Sequence, residues 1–489
     1  MKSDLKNETV LLATILVAAA VLRAIHLNDG LWYDEMVTVV TFVRLPAGDL
    51  LTTYGSLNNH LLYTWLSKAA TFVFSEAPWA VRLPAAAFGV ASIWACWRLI
   101  RDAGFAGVAL ATAALLAVSY HHVWFSQNAR GYTGMLLFTT LSGVFMARGL
   151  NRRSAKDWWL YAVFASLALL THLTSAFVLT AQGLTALGFG YREVFIRKNE
   201  TLLNWIKMPL IGFGGAIVLA LIVFAPLIPG MIETFTAYHA PVDTEAAGVT
   251  EWKNPLWTAF EIMRSFGAVG AVIPVALVFA GFGAWRLARR APLIAIPYLI
   301  HIPMTLIILI VASFRIWPRY FFVDIGFLIG CVVIGAFWFA EVFAAKTPSK
   351  FRFGLGGDAL KVLGALAMVA ASLPLLAGNY AAPKQNFPAA LALVEQRAAP
   401  GDTIAVVGLA DFPFNAYYGK DWPLADTAEQ LAALDAAPGG LIVVTAFPAH
   451  VRGSFPEIAK ALSENYDVIE DFGGTLSGGD IVIYQSRSQ

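Results

Sequence analysis

Long apolar segments recur along the first 378 residues of this chain, and they constrain its fold more than any other feature. A helix needs roughly 20 apolar residues to cross the hydrocarbon core of a bilayer. Only 13% of the 489 residues are charged, against about 25% in a typical soluble protein. The sequence therefore predicts a polytopic α-helical membrane protein with about eleven transmembrane helices. The predicted spans are 9–27, 78–100, 104–120, 131–150, 157–172, 174–190, 206–228, 266–287, 291–312, 319–344 and 359–378.

The distribution of Lys and Arg predicts how these spans are oriented. If the N-terminus is cytoplasmic, basic residues are about twice as frequent at the cytoplasmic ends of the spans as at the opposite ends, as the positive-inside rule describes. An odd number of spans then leaves the C-terminal tail outside the cytoplasm. Residues 60–75, "HLLYTWLSKAATFVFS", are short for a span and contain a lysine. We expect an amphipathic helix on the membrane surface there, with a twelfth span as the alternative.

The composition changes near residue 379, which divides the chain into a transmembrane part, 1–378, and a tail, 379–489. The tail contains three short β-branched runs bounded by Gly, Asp and Pro, with helical stretches between them. Alternating strands and helices predict a small extracytoplasmic α/β domain. The runs are "DTIAVVG" at 402–408, "GGLIVVTAF" at 439–447 and "DIVIYQS" at 480–486.

Charge and cysteine content exclude several classes of protein. The net charge of +2 gives no basic footprint for nucleic acid, so no nucleic-acid partner is expected. Cys96 and Cys331 both lie inside apolar runs. They support neither a disulfide framework nor a thiolate metal site.

Two adjacent carboxylates, Asp34 and Glu35, stand in the segment "GLWYDEMVTVV" just after the first predicted span. A carboxylate near the membrane surface is costly unless it is paired, hydrated or functional. On a helix the two side chains would point about 100° apart, so we expect them to serve different purposes. The structural alternative is that Asp34 caps a helix beginning near Glu35, while Trp32 and Tyr33 belong to an interfacial aromatic belt.

Basic and aromatic side chains collect on the same side of the membrane as these acids. Arg82, Arg130, Arg315 and Arg319 lie at predicted helix ends there, within or beside the segments "YHHVWFSQNARGY" and "FRIWPRYFF". Each arginine alone could snorkel to the lipid headgroups. Several arginines beside aromatic residues instead indicate a site for an anionic headgroup, because a guanidinium group binds two phosphate oxygens at once.

A carboxylate that faces a phosphate-binding cluster suits group transfer. The acid would take a proton from an acceptor hydroxyl or amine, or would hold a divalent metal such as Mg²⁺, Mn²⁺ or Zn²⁺. The arginines or the metal would stabilise the leaving phosphate. Asp34 and Glu35 are therefore the candidate catalytic residues and also the candidate metal ligands.

The order of several short motifs resembles a known group of membrane enzymes. The acidic motif is followed by "NNHLLYTWLSKA", "WAVRLPAAAFGV", "QNARGYTGMLL", "THLTSAF" and "RYFFVDIGFLIG". Over residues 8–345 this order resembles the GT-C membrane glycosyltransferases of the protein O-mannosyltransferase and lipid A aminoarabinose transferase type. The resemblance implies transfer of a sugar from a polyprenyl-phosphate donor, with inversion at the anomeric carbon, on the periplasmic or lumenal side of the membrane.

The resemblance also implies roles for individual residues. Asp34 would be the catalytic base or a metal ligand, and Glu35 would orient the acceptor or the metal. Arg82 would help to fix the first outer loop, while Arg319 and Tyr320 would bind the donor phosphate. The residues expected to bind donor or acceptor are Tyr33, Asn59, His60, Arg82, Gln127, Arg130, Tyr132, His172, Arg315, Arg319 and Tyr320.

The chain departs from many of these relatives at Asn128 of "QNAR", where they carry Glu. The base is therefore assigned to Asp34, and a second metal-binding acid is not expected. The Ala-rich composition and short loops look bacterial. They predict a protein of the inner membrane, surrounded by membrane lipids, with its site and tail in the periplasm. The expected acceptor is an envelope lipid or glycan such as lipopolysaccharide.

Other functions remain open on the sequence alone. A transporter or flippase would place ionisable residues near the bilayer midplane, whereas nearly all charges here lie at predicted helix ends, with Asp324 the nearest exception. A receptor or scaffold would act through the tail and would not need acids and histidines at the helix ends. A protein O-glycosyltransferase, an oligosaccharide transferase or a polymerase would share the motifs and differ in its acceptor.

Overall fold

The computed structural model describes residues 2–56, 58–239, 253–265, 272–352 and 355–487. Helices dominate the structure, and a four-stranded sheet follows the last long helix. The helices are α1 (Lys2–Ala24), α2 (Tyr33–Thr38), α3 (Ala47–Leu50), α4 (Leu61–Phe74), α5 (Pro78–Asp102), α6 (Ala106–Val118), α7 (Tyr120–Ser126), α8 (Tyr132–Arg152), α9 (Ala155–Thr171), α10 (Ser175–Tyr191), α11 (Leu202–Phe224), α12 (Ile228–His239), α13 (Pro255–Ser265), α14 (Ile273–Arg290), α15 (Pro292–Val311), α16 (Ile325–Lys346), α17 (Gly357–Asn379), α18 (Phe387–Arg397), α19 (Ala428–Asp435), α20 (Pro448–Ser454) and α21 (Pro456–Asn465). The strands are β1 (Thr403–Val407), β2 (Leu441–Ala446), β3 (Tyr466–Phe472) and β4 (Ile481–Ser486).

Ten of the eleven predicted spans overlap a helix of at least 17 residues, and span 104–120 overlaps α6, with 13 residues, and the start of α7. Among the described residues, seven helical segments are long and apolar enough to cross a membrane, and the pair α6 and α7, bent by 62°, would be an eighth if it forms one broken span. The other predicted spans are α9 and α10, with 17 residues each, and α14, which carries arginines in its last turn. The first six residues of span 266–287 lie outside the described residues. The prediction of a polytopic helical membrane protein is confirmed.

The segment predicted to lie on the membrane surface forms α4, a helix of 14 residues. At about 1.5 Å per residue this helix is too short to cross the hydrocarbon core. The alternative of a twelfth span is therefore not supported.

Helix α8 is the most buried of the segments that could span a membrane, with 89% of its apolar stretch buried inside the protein. It packs against α5 and α9, and α9 packs in turn against α11. Helices α14 and α16 approach each other through glycine, since a Cβ at Gly283 or Gly335 would lie 1.8 or 2.0 Å from a carbonyl oxygen of the other helix. Small residues of this kind let membrane helices pack backbone against backbone. Close packing of these helices therefore fixes the positions of the loops that connect them.

The sheet at the C-terminal end has the strand order β1-β2-β4-β3. Strands β1 and β2 are parallel, with Thr403 opposite Leu441, and the other neighbours are antiparallel. The three predicted strands correspond to β1, β2 and β4, and the predicted α/β character of the tail is confirmed. Strand β3 was not predicted, because an edge strand with largely exposed side chains lacks an apolar run.

The tail and the segment between α1 and α4, residues 25–60, share one hydrophobic cluster. Leu31 and Met36 of this segment are buried together with Phe387 and Phe414 of the tail. The ring of Tyr33 packs between the tail residues Phe412 and Phe447. The segment that carries the two acids thus packs against the C-terminal sheet region.

Candidate active site

Helix α2 places Asp34 and Glu35 in its first turn. Trp32 is the N-cap residue, and its carbonyl oxygen accepts the amide N–H groups of Glu35 and Met36. The Glu35 carboxylate accepts the amide N–H of Trp32 at 3.1 Å, which satisfies a donor that the helix leaves unpaired. The suggestion that Asp34 caps this helix is therefore wrong. Asp34 is left available for other contacts.

Glu35 is completely buried and paired with Arg82 of α5. The Arg82 guanidinium donates to both carboxylate oxygens, at 2.9 and 2.6 Å. The amide of Ala129 donates to the same carboxylate at 2.6 Å. Burial raises the pKa of Glu35, but the charges of Arg82 and Lys384 outweigh it and hold the pKa below its usual value. Glu35 is therefore an ionised anchor that joins α2 to α5 and to the segment before α8.

Asp34 lies in a more open arrangement, with 19% of its side chain exposed. Its Oδ2 is 3.1 Å from Nη1 of Arg130, which precedes α8, and 4.0 Å from Nη1 of Arg319. Arg319 belongs to the 3₁₀ turn Pro318–Asp324 that leads into α16. Arg130 also donates to Oδ1 of Asn58 at 3.0 Å. Three distant parts of the chain thus bring one carboxylate and two guanidinium groups together.

A cluster of three rings lies beside Arg130. The centroids of the His60 and His172 rings are 4.6 Å apart, and Tyr132 lies 5.7 Å from the first and 5.0 Å from the second. The Arg130 guanidinium carbon is 5.9 Å from the centre of the Tyr132 ring. These three predicted site residues therefore adjoin the Asp34 cluster through Arg130.

Other predicted binding residues have partners within the protein. Gln127 donates to the carbonyls of Arg23 and Ile25 and accepts from Asn379, which ties the ends of α1 and α17 together. Asn59 donates to the carbonyls of Thr53 and Tyr54. Both side chains are thus used to shape the loops. We revise their predicted role from substrate contact to scaffold.

The last predicted residues are distributed differently. Tyr33 turns its ring toward the tail, as described above. Tyr320 follows Arg319 in the same 3₁₀ turn. Arg315 forms no ion pair with an acid in the described part of the chain, although it is only four residues from Arg319. The structure therefore places Arg319, rather than Arg315, next to Asp34.

Two residues of the tail support the site and were missed by sequence reasoning. The Lys384 ammonium is buried, donates to the carbonyl of Gln127 and lies 5.1 Å from the centre of the Trp124 ring. Burial lowers the pKa of Lys384 to about 7, against the opposing charge of Glu35. Gln385 accepts the amide N–H of Tyr33 at 3.0 Å. Their segment, "AAPKQNFP", has no recognisable pattern, so no signal pointed to them.

Comparison with known proteins places this fold in a recognised class. Residues 59–229 match the family model of dolichyl-phosphate-mannose-protein mannosyltransferases. The structure of ArnT from Cupriavidus metallidurans bound to undecaprenyl phosphate is 14% identical and aligns with a TM-score of 0.54 over 98% of this chain and 99% of that chain. No curated protein matched the sequence.

The oligosaccharyltransferase AglB from Archaeoglobus fulgidus has a similar fold. Its complex with an inhibitory peptide and a dolichol-phosphate aligns with a TM-score of 0.54 at 13% identity, over 95% of this chain and 74% of that chain. The complex of the A. fulgidus oligosaccharyltransferase with Zn and sulfate gives a TM-score of 0.53 at 14% identity, over 94% of this chain and 72% of that chain.

The chain therefore has the fold of the polytopic GT-C membrane glycosyltransferases. Within that class it resembles the protein mannosyltransferase and ArnT group, as the motif order predicted, and this resemblance is confirmed. The segment matched by the family model contains His60, Arg82, Arg130, Tyr132 and His172. Asp34 and Arg319 lie outside it.

The predicted metal ligands do not fit a shared metal ion. Both oxygens of Glu35 are engaged by Arg82 and backbone amides, and Asp34 faces two guanidinium groups. Across the described residues no group of three His, Cys, Asp or Glu side chains has the geometry of a metal site. Asn128, which stands where many GT-C relatives carry Glu, accepts a hydrogen bond from the Trp32 indole N–H. We therefore withdraw the assignment of Asp34 and Glu35 as a pair of metal ligands.

Proposed function

We propose that this protein is an inverting glycosyltransferase that moves a sugar from a polyprenyl-phosphate donor to an envelope lipid or glycan. The observation that carries the proposal is the contact of the partly exposed Asp34 carboxylate with Arg130 and Arg319. One group of this site can accept a proton, and the other two can bind a phosphate. Both are needed when a hydroxyl displaces a lipid phosphate from a sugar.

Asp34 acts in this proposal as the general base. Its carboxylate takes the proton of the acceptor hydroxyl while the acceptor oxygen forms a bond to the anomeric carbon. The bond between that carbon and the phosphate oxygen breaks, and the electron pair leaves with the lipid phosphate. Attack opposite the leaving group inverts the anomeric centre. Glu35 takes no part in the chemistry, since its oxygens are already engaged.

The arginines stabilise the charge that develops on the leaving phosphate. The side chain of Arg319 is 35% exposed, so part of it is accessible to a ligand. Arg130 is almost fully buried and holds a fixed position through Asn58 and Asp34. Preorganised cations of this kind need little reorganisation when charge moves onto the phosphate. The lipid phosphates in the ArnT and AglB structures support a lipid-phosphate leaving group.

The proposed location follows from the chemistry of the substrate. A polyprenyl chain dissolves in the bilayer, whereas the phosphate and sugar must meet water-borne groups at its surface. Asp34 and Arg319 both lie next to the ends of apolar helices, where those two environments meet. With the positive-inside bias, this end is the periplasmic side of a bacterial inner membrane.

The test uses the purified protein in nanodiscs with undecaprenyl-phosphate sugars of several kinds. A glycosyltransferase releases undecaprenyl phosphate when an acceptor fraction from the cell envelope is added. A flippase would move the donor between leaflets without releasing the phosphate, and this outcome would contradict the proposal. Parallel acceptors, namely lipid A, cell-wall glycan and Ser- or Thr-containing peptide, separate an envelope glycosyltransferase from a protein O-glycosyltransferase.

A further inference from the structure

The neighbouring imidazoles of His60 and His172 have hydrogen bonds that fix where their protons lie. His60 stands immediately before α4 and is 3% exposed, while His172 caps the end of α9 and is partly exposed. A neutral imidazole has one N–H donor and one bare acceptor nitrogen. Which nitrogen carries the proton is set by the partner of the other one. Each ring has such a partner.

The Nδ1 atom of His60 is 3.3 Å from the carbonyl oxygen of Thr171. A carbonyl oxygen can only accept, so Nδ1 carries the proton and donates it. The Nε2 atom of His60 is then a bare acceptor. It is buried and has no hydrogen-bond partner among the described residues. Burial and the neighbouring Arg130 lower the pKa of His60 well below its usual value, which keeps the ring neutral.

His172 has the opposite arrangement. Its Nδ1 accepts the backbone N–H of Thr174 at 3.2 Å, and the hydroxyl of the same residue lies at 2.8 Å. An amide N–H can only donate, so Nδ1 carries no proton. The Nε2 atom of the neutral ring therefore carries it and is a donor. The two rings thus combine one acceptor and one donor within a centroid distance of 4.6 Å.

This pair of atoms selects among the chemical groups of a phosphosugar. A phosphate oxygen offers only lone pairs, so it could accept from His172 but would be repelled by the lone pair of His60 Nε2. An ammonium group would lie near the positive charges of Arg130 and Arg319, which both act on the two histidines. A neutral hydroxyl both donates and accepts. Of these three groups, only the hydroxyl matches both imidazoles and tolerates the cations.

We propose that His60 and His172 bind a hydroxyl group of the donor sugar. His60 Nε2 accepts the hydroxyl proton, and the Nε2–H of His172 donates to the same oxygen or to that of the adjacent hydroxyl. This inference rests on the proposed function, because it assumes a phosphosugar beside Asp34. Through this hydroxyl the two histidines would distinguish the sugar-bearing lipid phosphate from the bare lipid phosphate that leaves.

The test compares two ligands of the intact protein in nanodiscs. Undecaprenyl phosphate reports the phosphate site, and undecaprenyl-phosphate hexoses (glucose, mannose and galactose) report the phosphate and sugar together. In His60→Phe we expect about a tenfold loss of affinity for the best hexose lipid. Affinity for undecaprenyl phosphate should change by less than about twofold, since an acceptor nitrogen contributes nothing to phosphate binding.

Two further measurements separate recognition from folding. His60→Gln places an amide oxygen near the position of Nε2 and should restore much of the lost affinity. His450→Phe, in the tail, is the matched control and should leave both affinities and the melting temperature unchanged. Monodeoxy analogues of the best hexose lipid identify the hydroxyl: on the correct analogue, His60→Phe should cause no further loss.

The outcomes distinguish this inference from the proposed function. An equal loss of both ligands in His60→Phe, or no loss of either, would overturn the hydroxyl assignment and leave the glycosyltransferase proposal standing. The assignment would also be overturned if no hexose lipid bound more tightly than undecaprenyl phosphate. Failure of the wild-type protein to bind any of these lipid phosphates would overturn the proposed function itself.

Discussion

Helix α2 carries a carboxylate on each of two sides, and the two carboxylates differ in burial and in hydrogen bonding. On the sealed side, Glu35 has no exposed surface, and Arg82 with two backbone amides occupies its oxygens. On the open side, Asp34 keeps 19% of its side chain exposed and makes looser contacts with Arg130 and Arg319. Adjacent residues on one short helix thus become an anchor and a candidate base.

The difference arises from what surrounds each carboxylate. A buried charge is stable only when its partners satisfy it, and removing one partner then costs several kcal/mol. A carboxylate in that condition cannot take up a proton or a ligand at low cost. Asp34 can exchange its contacts for a substrate without breaking the scaffold, because Glu35 holds the loop. The buried ion pair of Glu35 therefore allows Asp34 to be reactive.

The strongest test of this comparison is Asp34→Asn. Asparagine keeps the shape of the side chain but cannot accept a proton, so transfer should fall by about 10²–10⁴-fold, the range of general-base catalysis. The melting temperature should fall less than in Glu35→Gln, because Asp34 is partly exposed and Asn58 still holds Arg130. Affinity for undecaprenyl phosphate should not decrease, since no phosphate-binding cation is lost. Sugar-transfer rates and thermal unfolding in detergent measure the two effects. Full activity of this variant would remove the base assignment.

The matched change on the sealed side is Glu35→Gln. It leaves the Arg82 guanidinium buried without its counter-charge, which should destabilise the folded protein by about 3–5 kcal/mol. Thermal unfolding and the yield of folded protein measure the loss. Adding Arg82→Met should recover part of that stability, since the unpaired charge is then gone. A stable Glu35→Gln protein that fails only in transfer would show that Glu35 takes part in the chemistry.

The contribution of the open side to phosphate binding is tested by comparing Arg319, in the 3₁₀ turn, with Arg315, which lies just before it. Arg319→Ala should lower the affinity for undecaprenyl phosphate about tenfold or more, because charge-assisted hydrogen bonds are the strong ones. Arg315→Ala is the control, since the structure gives Arg315 no contact with Asp34. Acceptor affinity should change less than donor affinity. Equal losses for donor and acceptor in Arg319→Ala would argue against a phosphate role.

Sequence reasoning predicted the parts of this molecule that depend on local pattern. Apolar runs gave the helices, and motif order with sidedness gave the convergence of Asp34, Arg130 and Arg319, which the structure contains. It predicted different purposes for Asp34 and Glu35, but it did not identify Glu35 as a buried anchor. Neighbouring residues have the same local sequence, and only tertiary packing decides which one meets Arg82.

The scaffold roles were also hidden from the sequence. Gln127 looked like a substrate ligand because it stands in the "QNARGY" segment, yet it binds the ends of two helices. Lys384, which donates to the backbone carbonyl of Gln127, is 257 positions further along the chain. Gln385, which accepts from the amide of Tyr33, is 352 positions away from it. Contacts over such separations depend on how the tail docks, which composition and periodicity do not encode.

The smallest expected effect tests the protonation of Lys384, the buried amino group that the tail adds to the sealed side. Burial lowers the pKa of Lys384 to about 7 in the folded protein, against about 10.4 in an unfolded chain. Between these values the unfolded state binds the proton and the folded state does not, so the free energy of unfolding rises with pH. Below about pH 7 both states are protonated, and the full penalty is present.

This dependence is isolated by comparing the wild type with Lys384→Met. Between pH 7.5 and 9.0 the wild type should gain about 1–2 kcal/mol relative to the variant, since one proton differs between the two states. Thermal unfolding of both proteins at both pH values measures the difference. Comparing the two proteins cancels the contributions of the other titrating groups. Parallel pH profiles would mean that Lys384 keeps its proton on folding. The sealed side would then keep the charges of Glu35, Arg82 and Lys384 throughout this pH range, instead of losing the Lys384 charge as the pH rises above 7.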